Sequence, residues 1–291
     1  MGEAYNQKGV SVIVPAYNEE EVIGSLIEHL LLEMERTGEP FEILVVDDGS
    51  DDHTRERLAA YAKKVRLLRH TENRGYGASL KTGIQAARFP IALITDADGT
   101  YPTEEIPRLL HGFEDGIEMV VGARTGPDVN MPLLRRPAKW LLKRLAEYLS
   151  EREIPDLNSG LRAFRRETAL RYIHILPNQF SFTTTLTLAF LSEGLGVRYV
   201  PINYHKRVGR SKIRSADALN FLILIVRTIT YFNPLRFFLP ACLFMLLLTL
   251  ARMSYDIFVL ANLADTSIIL FVGTFLTVAI GILADLIVRR R

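Results

Sequence analysis

Five times between Val10 and Arg124 a short apolar run is followed by a stretch of helical spacing, and this alternation constrains the fold more than any other feature of the chain. The runs cover residues 10–15, 41–46, 65–68, 91–94 and 118–122. They are rich in Val, Ile and Leu, as strands buried on both faces are. After the first run, Val22, Ile23, Leu26, Ile27, Leu30 and Leu31 recur with the period of one helix face. Helices are likewise expected up to about Ala62 and Ala87 and over 103–113. Strands alternating with helices predict a mostly parallel sheet, helices on both faces and right-handed crossovers.

In such sheets ligands bind at the carboxyl edge of the strands. The polar residues of this chain crowd there: Tyr17, Asn18 and Glu19; Asp47 and Asp48; Asp96 and Asp98; Arg124. Asp96 and Asp98 stand two apart, a spacing that points both side chains to one side of an extended chain. Two such carboxylates repel unless a cation lies between them. Mg²⁺ and Mn²⁺ accept carboxylate oxygens and share them with substrate phosphates. An Asp-x-Asp pair by itself fits a polar turn that caps the next helix equally well. Gly75-x-Gly77 fits either a phosphate loop or a tight helix start.

From Arg124 to Arg171 basic residues outnumber acids eleven to six. An amphipathic helix is expected from about 132 to Leu149, with Trp140, Leu141, Leu145 and Leu149 on one side. Residues 156–166 read as a polar loop, 179–193 as a helix carrying Thr183, Thr184, Thr185 and Thr187, and 197–201 as a last strand. Lys206 to Arg214 then holds five cations in nine residues with no acid. It reads as a solvated loop or as a clamp over phosphates.

Charge is unevenly distributed. Residues 217–291 hold 10 charges, six Arg and four Asp, against 58 in the first 216. Within this apolar tail, 216–232 reads as an interfacial helix, and 234–251 and 267–288 are each about long enough to span a bilayer. Basic residues before the first span and Arg289, Arg290 and Arg291 after the second predict both ends on the cytoplasmic side, with 252–266 as a short outer loop. The first residues lack an apolar signal segment, and the lone Cys242 rules out a disulfide framework within one chain. The expected domains are therefore 1–215, a cytoplasmic catalytic unit, 216–233, a juxtamembrane helix, and 234–291, a pair of spans.

Taken together, Val14-Pro15-Ala16-Tyr17-Asn18-Glu19, Val46-Asp47-Asp48-Gly49-Ser50, Asp96-Ala97-Asp98-Gly99, Gly122-Ala123-Arg124, Asn158-Ser159-Gly160-Leu161-Arg162 and Arg207-x-x-x-Ser211-Lys212 resemble the family 2 glycosyltransferases of the GT-A fold. The order and the two-span tail are similar to the dolichyl- and polyprenyl-phosphate sugar synthases. The resemblance implies a nucleotide-sugar site in which Pro15, Tyr17, Glu19, Asp47 and Asp48 hold the nucleoside. Asp96, Ala97 and Asp98 meet ribose, metal and diphosphate, with Asp96 and Asp98 as ligands of Mg²⁺ or Mn²⁺. Arg124, Arg207 and Lys212 bind phosphate, and Asp96, Asp98 and Arg124 form the catalytic set. Arg135, Arg136, Ser159 and Arg162 face the acceptor phosphate. Thr100 stands where some members have Gln, and Thr187 where some have a carboxylate. The implied partners are a nucleotide-sugar donor, a polyprenyl-phosphate lipid and the membrane; no nucleic acid is implied, and a homo-oligomer is left open. A processive polysaccharide synthase and a non-catalytic nucleotide-sugar binder are the competing expectations. The first would want a Gln-x-x-Arg-Trp-type motif, which the chain lacks.

Overall fold

The computed structural model describes residues 9–126, 144, 147, 148, 151–179, 181–205, 230, 234–260, 262 and 264–289. The expected helix ending at Leu149 (apart from Arg144, Glu147 and Tyr148), the basic run 206–214 and most of 216–232 lie outside these residues.

Strands β1 (Val10–Ala16), β2 (Phe41–Asp47), β3 (Arg66–Arg69), β4 (Ile91–Ile94), β5 (Ile117–Ala123), β6 (Arg162–Arg165) and β7 (Gly196–Pro201) form one sheet in the order β3-β2-β1-β4-β6-β5-β7. On β1, Val12 lies opposite Ile43 of β2 and Leu93 of β4, all running parallel. The helices of the sheet domain are α1 (Ile23–Thr37), α2 (Thr54–Ala59), α3 (Tyr76–Ala86), α4 (Ile106–Leu110), α5 (Arg166–Tyr172) and α6 (Phe182–Ser192). Alternate residues of each strand serve opposite faces. Val12, Val14, Ile43 and Val45 pack with Ile23, Ile27, Leu30, Ile106 and Leu109 of α1 and α4. Ile13, Leu44, Ala92 and Met119 pack with Leu80, Ile84, Phe182, Leu186 and Phe190 of α3 and α6. Each large apolar side chain so buried contributes roughly 1.5–3 kcal/mol. Every residue of α6 from Phe182 to Leu191 is buried, threonines included.

Residues 162–165, expected as loop, form β6, which runs antiparallel between β4 and β5, with Arg162 opposite Ile94 and Val121. A four-residue strand with arginine at both ends gives no apolar run to detect. It is held because Ala163 and Phe164 fill the two cores on opposite faces of the sheet. Running against its neighbours, β6 brings its first residues, and the 156–161 loop before them, to the carboxyl edge of β4 and β5.

Beyond the sheet lie α7 (Pro234–Tyr255), a π-helical turn (Asp256–Leu260) and α8 (Asp265–Arg289). Phe237–Leu260 and Asp265–Val288 are each long and apolar enough to cross a membrane, with mean hydropathies of 1.9 and 2.4. Arg252, expected in an outer loop, continues α7 instead and pairs with Asp256 at 3.0 Å. Asp256 also accepts hydrogen bonds from Ala264 N (2.9 Å) and Ser267 Oγ (2.5 Å). One buried carboxylate thus builds the tip of the hairpin. Between the helices, Thr249 and Thr274 share a hydrogen bond of 2.9 Å, and Gly281 lies against Phe238.

Candidate active site

β4 ends at Ile94, and the chain turns through Asp96 to Gly99, where a left-handed φ of 69° suits glycine. Asp96 is half-buried and Asp98 buried. Tyr76 donates its hydroxyl to Asp96 Oδ1 at 2.7 Å. Thr100 donates to Asp98 Oδ1 twice, from Oγ1 at 2.6 Å and from N at 3.2 Å. Ala97, between them, is buried. Two carboxylates, each with a hydrogen-bond donor on it, are hard-oxygen groups that could hold a divalent ion completing its shell with phosphate oxygens and water. No group of three His, Cys, Asp or Glu side chains fit to hold an ion occurs among the described residues.

The neighbouring loops at this edge are locked together. Pro15 is buried in β1; Tyr17 and Glu19 are half-buried beyond it. Asn18 takes a left-handed φ of 53°, receives a bond from Asp51 N at 3.0 Å and donates its own N–H to Ser50 Oγ at 3.1 Å. Glu19 N donates to Thr54 Oγ1 at 2.9 Å. Asp47 is fully buried; its Oδ1 accepts Ser50 N at 2.9 Å, while Arg69 Nε lies 3.6 Å from Oδ2. Asp48, also buried, faces inward to His70 Nδ1 (2.6 Å), Arg74 N (3.0 Å) and Gly75 N (2.8 Å). It anchors the 70–75 loop.

Arg124 is closed on Asp156, Nε to Oδ2 at 2.7 Å and Nη2 to Oδ1 at 2.9 Å, and its Nη2 also reaches Asn158 Oδ1 at 2.8 Å. Its guanidinium lies over the Tyr204 ring, 5.2 Å from the centroid. Tyr204 in turn meets Tyr101 edge-on, and the Tyr101 hydroxyl accepts Gly160 N at 2.6 Å. Burial raises the Tyr101 phenol pKa above the usual 10. Arg162 is wholly buried. It donates to Ser159 O, to Thr183 O at 2.9 Å and to Thr187 Oγ1 at 2.6 Å. These partners, and Met119 Sδ at 3.8 Å, are all uncharged, and burial lowers its pKa. Ser159 is buried too, and its Oγ has no hydrogen-bond partner among the described residues. The structure therefore brings Asp96, Asp98, Arg124, Ser159 and the loops after β1 and β2 to one edge, and sets Arg162 behind the 158–160 loop. Arg135, Arg136, Arg207 and Lys212 lie outside the described residues.

Sequence reasoning missed Asp156, Tyr76, Tyr101 and Tyr204. Only Asp156 carried a signal, as one of the few acids within a basic stretch. Gly75 and Gly77 are not an open cradle. A Cβ on Gly77 would stand 2.2 Å from Pro177 O, and Ala78 N donates to Asn178 O at 3.1 Å. The glycines let the 177–179 turn press onto the start of α3.

Residues 11–172 match the glycosyl transferase family 2 model, more than half of the chain, and the protein belongs to that family; it is a glycosyltransferase. Residues 233–289, the pair of apolar helices, match the GtrB C-terminal hairpin. The chain is 33% identical over 210 residues to dolichyl-phosphate hexose transferase of Haloferax volcanii, covering 72% of this chain and 88% of that protein. It is 30% identical over 233 residues to undecaprenyl-phosphate 4-deoxy-4-formamido-L-arabinose transferase of Pectobacterium carotovorum, covering 79% and 69%. Among solved structures, glucosyl-3-phosphoglycerate synthase from Mycobacterium tuberculosis with uridine diphosphate superposes with a TM-score of 0.61 at 22% identity, over 76% of this chain and 80% of that one. The same enzyme with Mn²⁺, UDP-glucose and phosphoglyceric acid gives 0.60 at 21% identity, over 76% and 80%. At that identity the likeness is one of fold.

Proposed function

We propose that this glycosyltransferase moves a single sugar from a UDP- or GDP-sugar to a polyprenyl phosphate at the cytoplasmic face of a membrane, in one inverting displacement. The observation that carries the reading is the oriented pair Asp96 and Asp98 on the carboxyl edge of β4, in a chain that ends in an apolar helical hairpin. Both relatives are named for sugar transfer to a polyprenyl phosphate. In this reading residues 1–215 are the catalytic unit, 216–233 lie along the membrane and 234–291 anchor it.

A lipid phosphate is already an anion and needs no base to attack. Consistent with that, Thr187 is spent on Arg162 and offers no carboxylate. The obstacle is the approach of one anion to another. Asp96 and Asp98 would hold Mg²⁺ or Mn²⁺, which would supply positive charge to offset that of the departing diphosphate. Tyr17 and Glu19 line the nucleoside end, and the buried Asp47 and Asp48 hold the loops beneath it in place. Arg207 and Lys212 take the diphosphate, and Arg135, Arg136 and Ser159 the acceptor phosphate, orienting an in-line attack on the anomeric carbon.

The test is transfer of labelled sugar to undecaprenyl phosphate in detergent, across a panel of UDP- and GDP-sugars. Mg²⁺, Mn²⁺ or EDTA is varied, and Asp98→Ala runs in parallel. The expected result is a lipid-linked product with one donor, absent with EDTA and reduced by at least about a hundred-fold in Asp98→Ala. A product that survives EDTA would remove the metal role, and nucleotide binding without any lipid product would remove the catalytic reading.

A further inference from the structure

Among the described residues Asp96 is gripped from two sides, and one grip comes from a residue that neither the family motifs nor the reading above assigns. On one side Gly160 backs against the carboxylate so closely that a Cβ there would stand 2.6 Å from Asp96 Oδ2. Gly160 is itself held by its N–H to the Tyr101 hydroxyl at 2.6 Å. On the other side the Tyr76 hydroxyl donates to Asp96 Oδ1 at 2.7 Å.

Tyr76 has little freedom to leave. It is the first residue of α3, and the glycines on either side of it are clamped by the 177–179 turn. A Cβ on Gly75 would meet Asn178 O at 2.5 Å, and one on Gly77 would meet Pro177 O at 2.2 Å. Lys81, one turn further along α3, donates Nζ to Asn178 Oδ1 at 2.8 Å. The turn therefore fixes the helix start from outside while the phenol reaches inward to the carboxylate. A hydroxyl bonded to a carboxylate makes a charge-assisted hydrogen bond, one of the stronger kinds.

The geometry points to Tyr76 as a positioning residue that fixes the rotation of the Asp96 carboxylate toward the metal–diphosphate of the donor. This rests on the proposed placement of that metal at Asp96 and Asp98. Groups that orient a metal ligand from behind typically cost ten- to a hundred-fold in metal affinity when removed.

Tyr76→Phe deletes one oxygen and keeps the ring that fills the space. Mn²⁺ binding would be followed by electron paramagnetic resonance on the full chain in detergent with UDP and, separately, GDP. Nucleotide binding and the melting temperature would be measured on the same samples. The expected result is Mn²⁺ held about ten-fold more weakly in Tyr76→Phe with nucleotide present, at a melting temperature within a few degrees of wild type. In an Asp96→Asn background the same change should cost less than about two-fold, because its route of action is gone. Unchanged Mn²⁺ affinity in Tyr76→Phe would overturn the inference while leaving the metal site standing. An equal loss in both backgrounds would overturn it too, since Tyr76 would then act by another route. Wild-type protein that binds either nucleotide but no Mn²⁺ would overturn both this inference and the metal placement beneath it.

Discussion

A single missing methyl defines the wall of the site. At Gly160 a Cβ would lie 2.6 to 2.7 Å from three atoms of the Asp96 carboxyl group, inside any tolerable contact. Gly160→Ala must therefore push Asp96 or the 158–160 loop aside. The expected outcome is a fall in kcat of about ten-fold or more, with a stability cost of about 1–3 kcal/mol. Steady-state kinetics beside a urea melt would check both, and wild-type kcat would show that the wall is soft. Arg162 shows the reverse at the same scale. Its charge looked like a phosphate ligand, yet the side chain lies wholly inside, bonded to Ser159 O, Thr183 O and Thr187 Oγ1. Nothing local separates a buried arginine from a phosphate-binding one, because the residue type serves both ends. Arg124 shares the ambiguity: a tight pair with Asp156, 32 residues away, is visible only after folding.

At the scale of elements, the amino ends of β1, β2 and β3 are stapled by one side chain. Glu42 on β2 accepts Ser11 Oγ of β1 at 2.8 Å and the N–H of Arg88 at 2.7 Å, and it pairs with Arg66 of β3. Burial alone would raise its pKa, but the bonds from Arg66, Ser11 and Arg88 bring it below the usual 4.5. A carboxyl with a depressed folded pKa stabilises the fold above its unfolded value, and that support is lost as pH falls through the folded one. Glu42→Gln should therefore cost about 1 kcal/mol at pH 7, after allowing for solvent screening, and less at pH 3. Urea melts at the two pH values decide it; an equal loss at both would mean that packing, not charge, holds the staple. The six strands read from the sequence reappear as β1 to β5 and β7, because each carries a signal of its own. The antiparallel β6 does not, because it is a strand only by virtue of β4 and β5 on either side.

On the scale of the whole molecule, the hairpin shows a face that water does not favour. Phe244, Phe258, Ile269 and Phe275 are all exposed on α7, its π-helical turn or α8. If the catalytic unit is cytoplasmic, as proposed above, the tip near Asn262 would lie outside. In Cys242→Ser protein, an Asn262→Cys thiol should react with a membrane-impermeant maleimide in intact cells; reaction only after permeabilisation would reverse the proposed orientation. The sequence by itself determined the alternating α/β domain, the acidic carboxyl edge at Asp96 and Asp98, and the apolar tail, because these are recorded in local period, composition and spacing. Only the tertiary structure decided that Tyr76 and Gly160 grip Asp96, that Asp156 claims Arg124, that Arg162 turns inward and that Gly77 serves packing. Those outcomes depend on which distant segments come into contact, and a polar side chain's partner is set by whatever the folded chain places within hydrogen-bonding distance of it.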